Sequence, residues 1–242
     1  MEYFSNLIEY YDELYAVTKE QKEFYENLQK NFIVPTTFLR IGCGTGAFEH
    51  YLSKNGHDVT GIETVKDMIE VATRRRRFPH MAIRFFQMST TEMTKFLGKN
   101  FYNIISCLDD RILFLKDKDM QRKFFQDCKM LLSEKGFLVL GLSNYDLLAT
   151  QDSLTLPTKE SIRSKLFTRV LTRDKNAFLF QDVETSSGKV LPVIRSAKVC
   201  PLTAQEIQEL AYESGFSSVE FYENFSKNPF SQESKTLVCV IR

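Results

Sequence analysis

Behind the apolar run "TTFLRI" the chain places glycines at three alternate positions, Gly42, Gly44 and Gly46. Glu63 stands seventeen residues beyond the last of them, at the end of a second apolar run, "HDVTGIE". A strand that ends in glycines and feeds a helix leaves backbone N–H groups free beside the positive end of the helix, and lets a ligand approach the backbone without meeting side chains. A carboxylate at the tip of the next strand can accept the hydroxyls of a ribose, and its separation from the glycines is near the roughly 20 residues of a nucleoside-binding βαβ unit. Turns also recruit glycine, but strand, helix, strand and terminal acid together exceed what a turn needs. The pattern predicts a ribose-containing ligand.

These residues need a scaffold, and the rest of the chain reads as one. Residues 2–30 hold no Gly or Pro, and Leu7, Tyr10, Tyr11, Leu14 and Tyr15 recur at helical spacing, predicting one or two amphipathic helices. After "TFLRI", the segments "AFEHYLSKNG" (helix), "HDVTGIE" (strand), "VKDMIEVATRRRRF" (helix), "MAIRFFQM" (strand), "FYNIISCL" (strand), "KDMQRKFFQDCKMLLSEKG" (helix capped by Gly136) and "FLVLGL" (strand) alternate as in a parallel sheet covered on both faces. Residues 161–200 are strand-like, with turn signals at Asp174 to Asn176 and Ser186 to Gly188, predicting antiparallel hairpins added to the sheet or laid across it. "TAQEIQELAYESG" opens on a capping box, Thr203 with Glu206, and "SSVEFYENF" and "TLVCVIR" read as two strands antiparallel to each other.

Composition narrows the function classes. The 242 residues are 43% hydrophobic, enough for one substantial core, and a single domain follows. A net charge of +1 gives no global field for nucleic acid or an anionic membrane. Five scattered cysteines without a C-x-x-C pair suit reduced thiols. The acidic N-terminal stretch does not read as a signal peptide and no apolar run reaches a membrane span of about 18 residues, so a cytoplasmic protein is expected.

Read as G-x-G-x-x-A, Gly42, Gly44 and Ala47 fit a dinucleotide fingerprint and a nicotinamide-dependent oxidoreductase. Read as G-x-G-x-G, "IGCGTG" resembles motif I of the class I S-adenosylmethionine-dependent methyltransferases. The helical extension before the loop, the closing helix and antiparallel strand pair, and "ETVKDMIEVA", similar to a D-x-S-x-x-M-x-x-x-A segment, favour the latter. The resemblance implies an α/β fold, a Rossmann-like doubly wound, mostly parallel seven-stranded sheet in order 3-2-1-4-5-7-6. Residues 1–34 would form an N-terminal helical cap, 35–150 and 201–242 the S-adenosylmethionine-binding core, and 151–200 a β-rich lid. It further implies that Gly42, Cys43, Gly44 and Gly46 flank the methionine part of the donor, that Glu63 holds the ribose, that Met68 packs on adenine, and that Cys107 and Leu108 face the sulfonium.

The family commonly has G-D-A after the third strand, whereas this chain reads "FFQMSTTEM", leaving Ser89, or in its place Glu92, for the adenine amino group. "CLDDRILFLKDKD" and Asn144, Tyr145 and Asp146 resemble the glycine and sarcosine N-methyltransferases and their small-molecule relatives, implying a small-molecule acceptor methylated at nitrogen or oxygen. Tyr11, Tyr15, Tyr145 and Arg195 are the candidate acceptor contacts. Asp109, Asp110, Asn144 and Asp146 could gather Mg²⁺, but loop acids in solvent fit them better, and no metal is expected. The run Arg74 to Arg77 reads as a solvated helix end rather than a nucleic-acid contact. A non-catalytic nucleoside-binding protein of the same fold is the remaining alternative, and the oligomeric state is not legible.

Overall fold

The computed structural model describes residues 3–149 and 151–242. Glu2, where the sequence places the start of the first helix, lies outside them. The N-terminal segment forms three short helices, α1 (Ser5–Ile8), α2 (Tyr11–Leu14) and α3 (Lys19–Gln29). The break before α3 is set by Thr18, whose side chain accepts from Gln21 N.

The core then alternates β1 (Thr37–Ile41), α4 (Ala47–Lys54), β2 (Asp58–Glu63), α5 (Lys66–Arg76), β3 (Ile83–Gln87), α6 (Met93–Phe96), β4 (Tyr102–Cys107), α7 (Lys118–Leu131) and β5 (Leu132–Ser143). Strands β6 (Ser153–Thr155), β7 (Lys159–Glu160), β8 (Ser164–Arg173), β9 (Asn176–Thr185) and β10 (Val190–Val199) follow, and α8 (Ala204–Glu213), β11 (Val219–Tyr222) and β12 (Thr236–Ile241) close the chain. The seven-stranded sheet runs β11-β12-β5-β4-β1-β2-β3. With its strands numbered among themselves this is the order 3-2-1-4-5-7-6, and only β12 pairs antiparallel to its two neighbours. The topological switch point falls between β1 and β4, at whose carboxyl ends ligands collect in such sheets.

Burial on both faces explains why the central strands read as continuous apolar runs. Leu39 and Ile41 of β1, Ile105 of β4 and Leu138, Leu140 and Leu142 of β5 join the cluster under α5, α7 and α8, which also takes in side chains of β8–β10. Phe38, Ile104, Phe137 and Val139 face the opposite way, into a cluster with Phe24 and Tyr25 of α3 and Phe48 and Leu52 of α4. The capping box of Thr203 and Glu206 opens α8.

The β-rich segment is a second sheet, β10-β9-β8-β6 with β7 on β8, and not an extension of the first. Its tightest turn carries Asp174 and Lys175 at φ 49° and 61°, the left-handed pair that a two-residue hairpin demands. One boundary differs from the sequence reading. α7 ends at Leu131, and β5 starts at Leu132 instead of after Gly136. Gly136 is a packing position: a Cβ there would lie 3.0 Å from the carbonyl oxygens of Ser133 and Tyr102, which the irregular start of β5 brings close.

Candidate active site

β1 delivers the glycine loop to the switch point. Gly42, Gly44 and Gly46 have φ of +73°, +56° and +75°, a left-handed backbone that side chains oppose. Glu63, 5% exposed at the end of β2, turns its carboxylate onto this loop. Its Oε2 accepts from Gly44 N at 3.2 Å, and its Oε1 accepts from Thr64 N at 2.7 Å, Val65 N at 3.2 Å and Thr64 Oγ1 at 3.2 Å. Two carboxylate oxygens offer about four lone-pair sites, so Oε2 retains capacity for a ligand hydroxyl, and the Thr64 hydroxyl can yield a second.

A cleft of about 470 Å³ opens beside this carboxylate, lined by Gly42, Glu63, Thr64, Val65, Met88 and Ser89, among others. Met68, expected on this wall, is instead fully buried in the core; Val65 and Met88 supply the apolar surface. Ser89 does line the cleft, but its hydroxyl contacts Thr91 Oγ1 and its N–H donates to Glu92 in a capping box. Glu92 is thereby engaged as a helix cap, which corrects its reading as a substitute adenine contact. Cys43 and Cys107 are buried, with burial pushing the Cys107 thiol up to about 12, so neither is a nucleophile.

A second cavity of about 270 Å³ lies between the carboxyl ends of β4 and β5 and the lid sheet. Leu108, Asp109, Asp110, Tyr15, Lys159 and Gln181 are on its wall. Arg111, Phe114 and Phe4 line both cavities and separate them. Asp109 and Asp110 have φ of 57° and 61°, and this consecutive left-handed pair turns the chain sharply after β4. Asp109 accepts from Arg40 Nη2 at 3.2 Å and from Lys159 Nζ at 3.1 Å. Burial works to raise its pKa, and the two cations overcome that and hold it below the ordinary value. Asp110 accepts from Ser143 N at 2.7 Å, Ser143 Oγ at 3.1 Å and Tyr145 Oη at 3.1 Å. No cation among the described residues pairs with it, and burial raises its pKa in spite of these bonds.

The tyrosines divide by role. Tyr11 and Tyr15 stack with ring centroids 4.4 Å apart. Tyr11 lies on the glycine loop, and Tyr15 lines the second cavity beneath Lys159, whose Nζ stands 4.6 Å from its ring centroid. Tyr145 is 2% exposed, on neither cavity wall, and orients Asp110 rather than meeting a substrate. Arg195 is exposed and sits over the Tyr3 ring at 6.0 Å, outside both cavities. Register shifts between Pro192 and Ile194 and between Ile194 and Ala197 change which side chains of β10 face inward, and Ile194 takes the place expected of Arg195.

The arginine run also differs from expectation. Arg76 and Arg75 pair with Asp12 of α2, whose other oxygen accepts from the Thr45 hydroxyl in the glycine loop. The end of α5 therefore fastens α2, and with it Tyr11, above the loop. The sequence contained both partners, but nothing in it joined residues 12 and 76. Asp110 enters the sequence reading only as a candidate metal ligand, and Arg111 and Lys159 were missed as site residues; the charges in "CLDDR" were the signal available for the first two. Among the described residues no group of three or more His, Cys, Asp or Glu side chains could hold a metal ion, and Asn144 and Asp146 bond to backbone of Gln232, Ser234 and Ala204.

Beneath the loop, Arg40 and Glu49 form a buried pair at 3.6 Å. Burial, against the pull of Arg40, pushes the Glu49 carboxyl up to about 7 from 4.5. Between those values the unfolded chain releases a proton that the folded chain retains, so this group's stabilising contribution is full below the unfolded value and lost as pH rises through the folded one. Glu49→Gln removes the titration. Urea unfolding at pH 5 and pH 8 should show the wild type losing about 1–3 kcal/mol relative to the variant; a difference independent of pH would contradict the assignment.

Comparison with known proteins agrees with this geometry. A family model described as a methyltransferase domain matches residues 38–136, from β1 to the start of β5. A Geobacillus sp. (strain WCH70) protein named as a methyltransferase is 24% identical over 84% of this chain and 83% of its own. Glycine/sarcosine N-methyltransferase of Aphanothece halophytica is 25% identical over 61% of this chain and 56% of its own. An S-adenosylmethionine-dependent methyltransferase from Clostridium acetobutylicum superposes with a TM-score of 0.77 at 14% identity, covering 99% and 98% of the two chains. Residues 38–136 thus match a methyltransferase domain, and the chain as a whole shares the fold of solved S-adenosylmethionine-dependent methyltransferases. The loop fits that donor: side chains are excluded at Gly42 and Gly44, and a carboxylate with spare acceptor capacity stands at the cleft. The dinucleotide reading is set aside.

Proposed function

We propose that this methyltransferase acts on a small molecule and that the atom attacked is an amine nitrogen. S-adenosylmethionine supplies a methyl group already activated on a sulfonium, so the protein mainly needs to orient the acceptor, exclude water and offer a path for a proton. The observation that carries the proposal is Asp110, a half-buried carboxylate outside any ion pair of the described residues, on the wall of the second cavity. An amine suits it twice over. The carboxylate attracts and orients the amino group, and its raised pKa equips it to take the proton that leaves as the nitrogen is alkylated. Tyr145 and Ser143 hold Asp110 in position, and Leu108, Leu142, Leu156 and Leu179 offer apolar surface to the rest of the acceptor. A cavity of this size, enclosed by the lid sheet, favours a small molecule over a nucleic acid, and the arginines of α5 that could have met phosphates are held by Asp12. The N-methyltransferase named among the relatives is consistent with nitrogen. Among the described residues no helix is long and apolar enough to cross a membrane.

The test is transfer of isotopically labelled methyl to a panel of small primary and secondary amines and matched alcohols. Amines should be labelled. Asp110→Asn should lower kcat by about 10²-fold while binding S-adenosylhomocysteine as the wild type does. Labelling of alcohols alone would move the target to oxygen, and an Asp110→Asn variant of full activity would remove the residue from the chemistry.

A further inference from the structure

Arg111 is the one half-buried cation of the site that no ion pair engages among the described residues. Its side chain is half-buried with Nε withdrawn from water, yet none of the ion pairs of the described residues includes it, and that Nε has no hydrogen-bond partner. The single bond recorded for it runs from Nη2 to the Tyr11 hydroxyl at 3.0 Å. A cation withdrawn from water outside any ion pair is costly; Glu63 and Asp109 act on it only from beyond ion-pair distance, and a neutral hydroxyl repays little of that cost. The neighbouring cations differ in this respect: Arg40 has Glu49 and Asp109, and Lys159 has Asp109. Lys116, also on the cleft, is exposed to water.

Position identifies what would answer the charge. The Arg111 stem lies so close to Gly42 that a Cβ there would be 2.7 Å from its Cγ, and the Tyr11 hydroxyl would be 2.3 Å from a Cβ on Gly44. The pair therefore rests on the glycine loop, between the Glu63 cleft and the second cavity, both of which Arg111 lines. A donor with its ribose at Glu63 and its sulfur toward Leu108 has its amino-acid end in that position. We propose that Arg111 is the receptor for the α-carboxylate of the donor's methionine, and that the Tyr11 hydroxyl stands in for a carboxylate oxygen while the donor is away. A planar guanidinium with several unused N–H groups matches a carboxylate in a bidentate pair, and the Tyr11 hydroxyl is displaced or shared when that pair forms. The assignment rests on the cofactor and is independent of which acceptor is methylated.

The experiment compares ligands that differ only at that end, by calorimetric titration without acceptor. S-adenosylhomocysteine carries the carboxylate; its decarboxylated analogue and 5′-methylthioadenosine do not. In the wild type the decarboxylated analogue should bind about 10–100-fold more weakly. Arg111→Met should weaken S-adenosylhomocysteine by a similar factor, leave methylthioadenosine within about 3-fold, and erase the difference between the first two ligands. Arg111→Lys should restore part of the loss. Equal losses for all three ligands would reduce Arg111 to a structural role and overturn the proposal. So would unchanged S-adenosylhomocysteine affinity with a raised KM for the acceptor, which would place the carboxylate on the acceptor instead. Should Arg111→Met fail to fold, the wild-type comparison of the first two ligands together with Arg111→Lys still decides: equal affinities for carboxylate and decarboxylated forms would reject the assignment.

Discussion

Glu63→Ala is expected to weaken S-adenosylhomocysteine binding by about 1.5–3 kcal/mol, roughly 10- to 150-fold in Kd. Two effects act together. The variant loses a charge-assisted acceptor for ribose hydroxyls, and it strips the N–H groups of Gly44, Thr64 and Val65 of the oxygen that organises the loop. Glu63→Gln separates them, because an amide retains one acceptor oxygen for the loop but lacks the charge. It should lie between wild type and Glu63→Ala in affinity. Calorimetric titration of the three proteins checks this, and an alanine variant with wild-type affinity would remove Glu63 from the donor site.

Gly46→Ala should be strongly destabilising. Its φ of +75° opposes any L side chain, at about 1–2 kcal/mol. The added Cβ would also meet Phe85 Cζ at 2.5 Å and Ala72 Cβ at 3.2 Å, inside the packed wall between α4, α5 and β3. Overpacking of this kind costs a further 1–3 kcal/mol or so. The sum, about 2–5 kcal/mol, corresponds to a Tm lower by roughly 4–20 °C for a chain of this length. Gly56→Ala is the control: its φ is +87°, but nothing lies within 4 Å of the added atom, so only the backbone cost applies. Thermal melts of both variants should therefore differ, and equal Tm values would show that the contact with Phe85 relaxes without cost.

These two effects concern residues that were legible before any coordinates, for a physical reason. Gly42, Gly44, Gly46 and Glu63 are tied to the chain by backbone conformation and by strand ends, which local sequence encodes. Alternation of helices and strands gave a parallel sheet covered on both faces, while the strand order came from the family resemblance that the glycine loop carries. The residues that escaped depend on long-range placement. Arg76 meets Asp12 across 64 residues, and Lys159 meets Asp109 across 50. "CLDDR" displayed its charges, yet their direction is set by two successive left-handed residues, Asp109 and Asp110, that no propensity predicts. Arg195 was placed in the lid segment without a facing, and register shifts in β10 leave it exposed outside both cavities. Met68 kept its helical position and packed inward, because the helix face it occupies belongs to the core.

The account depends on the glycine loop and Glu63 gripping the adenosyl half of the donor, and a crystal structure with S-adenosylhomocysteine bound tests this most directly. The ribose hydroxyls should lie within hydrogen-bond distance of the Glu63 carboxylate, with the sulfur facing Leu108 and the cavity that holds Asp110. A ligand seated elsewhere, or a ribose out of reach of Glu63 with Tyr11 and Arg111 still resting on the loop, would contradict it.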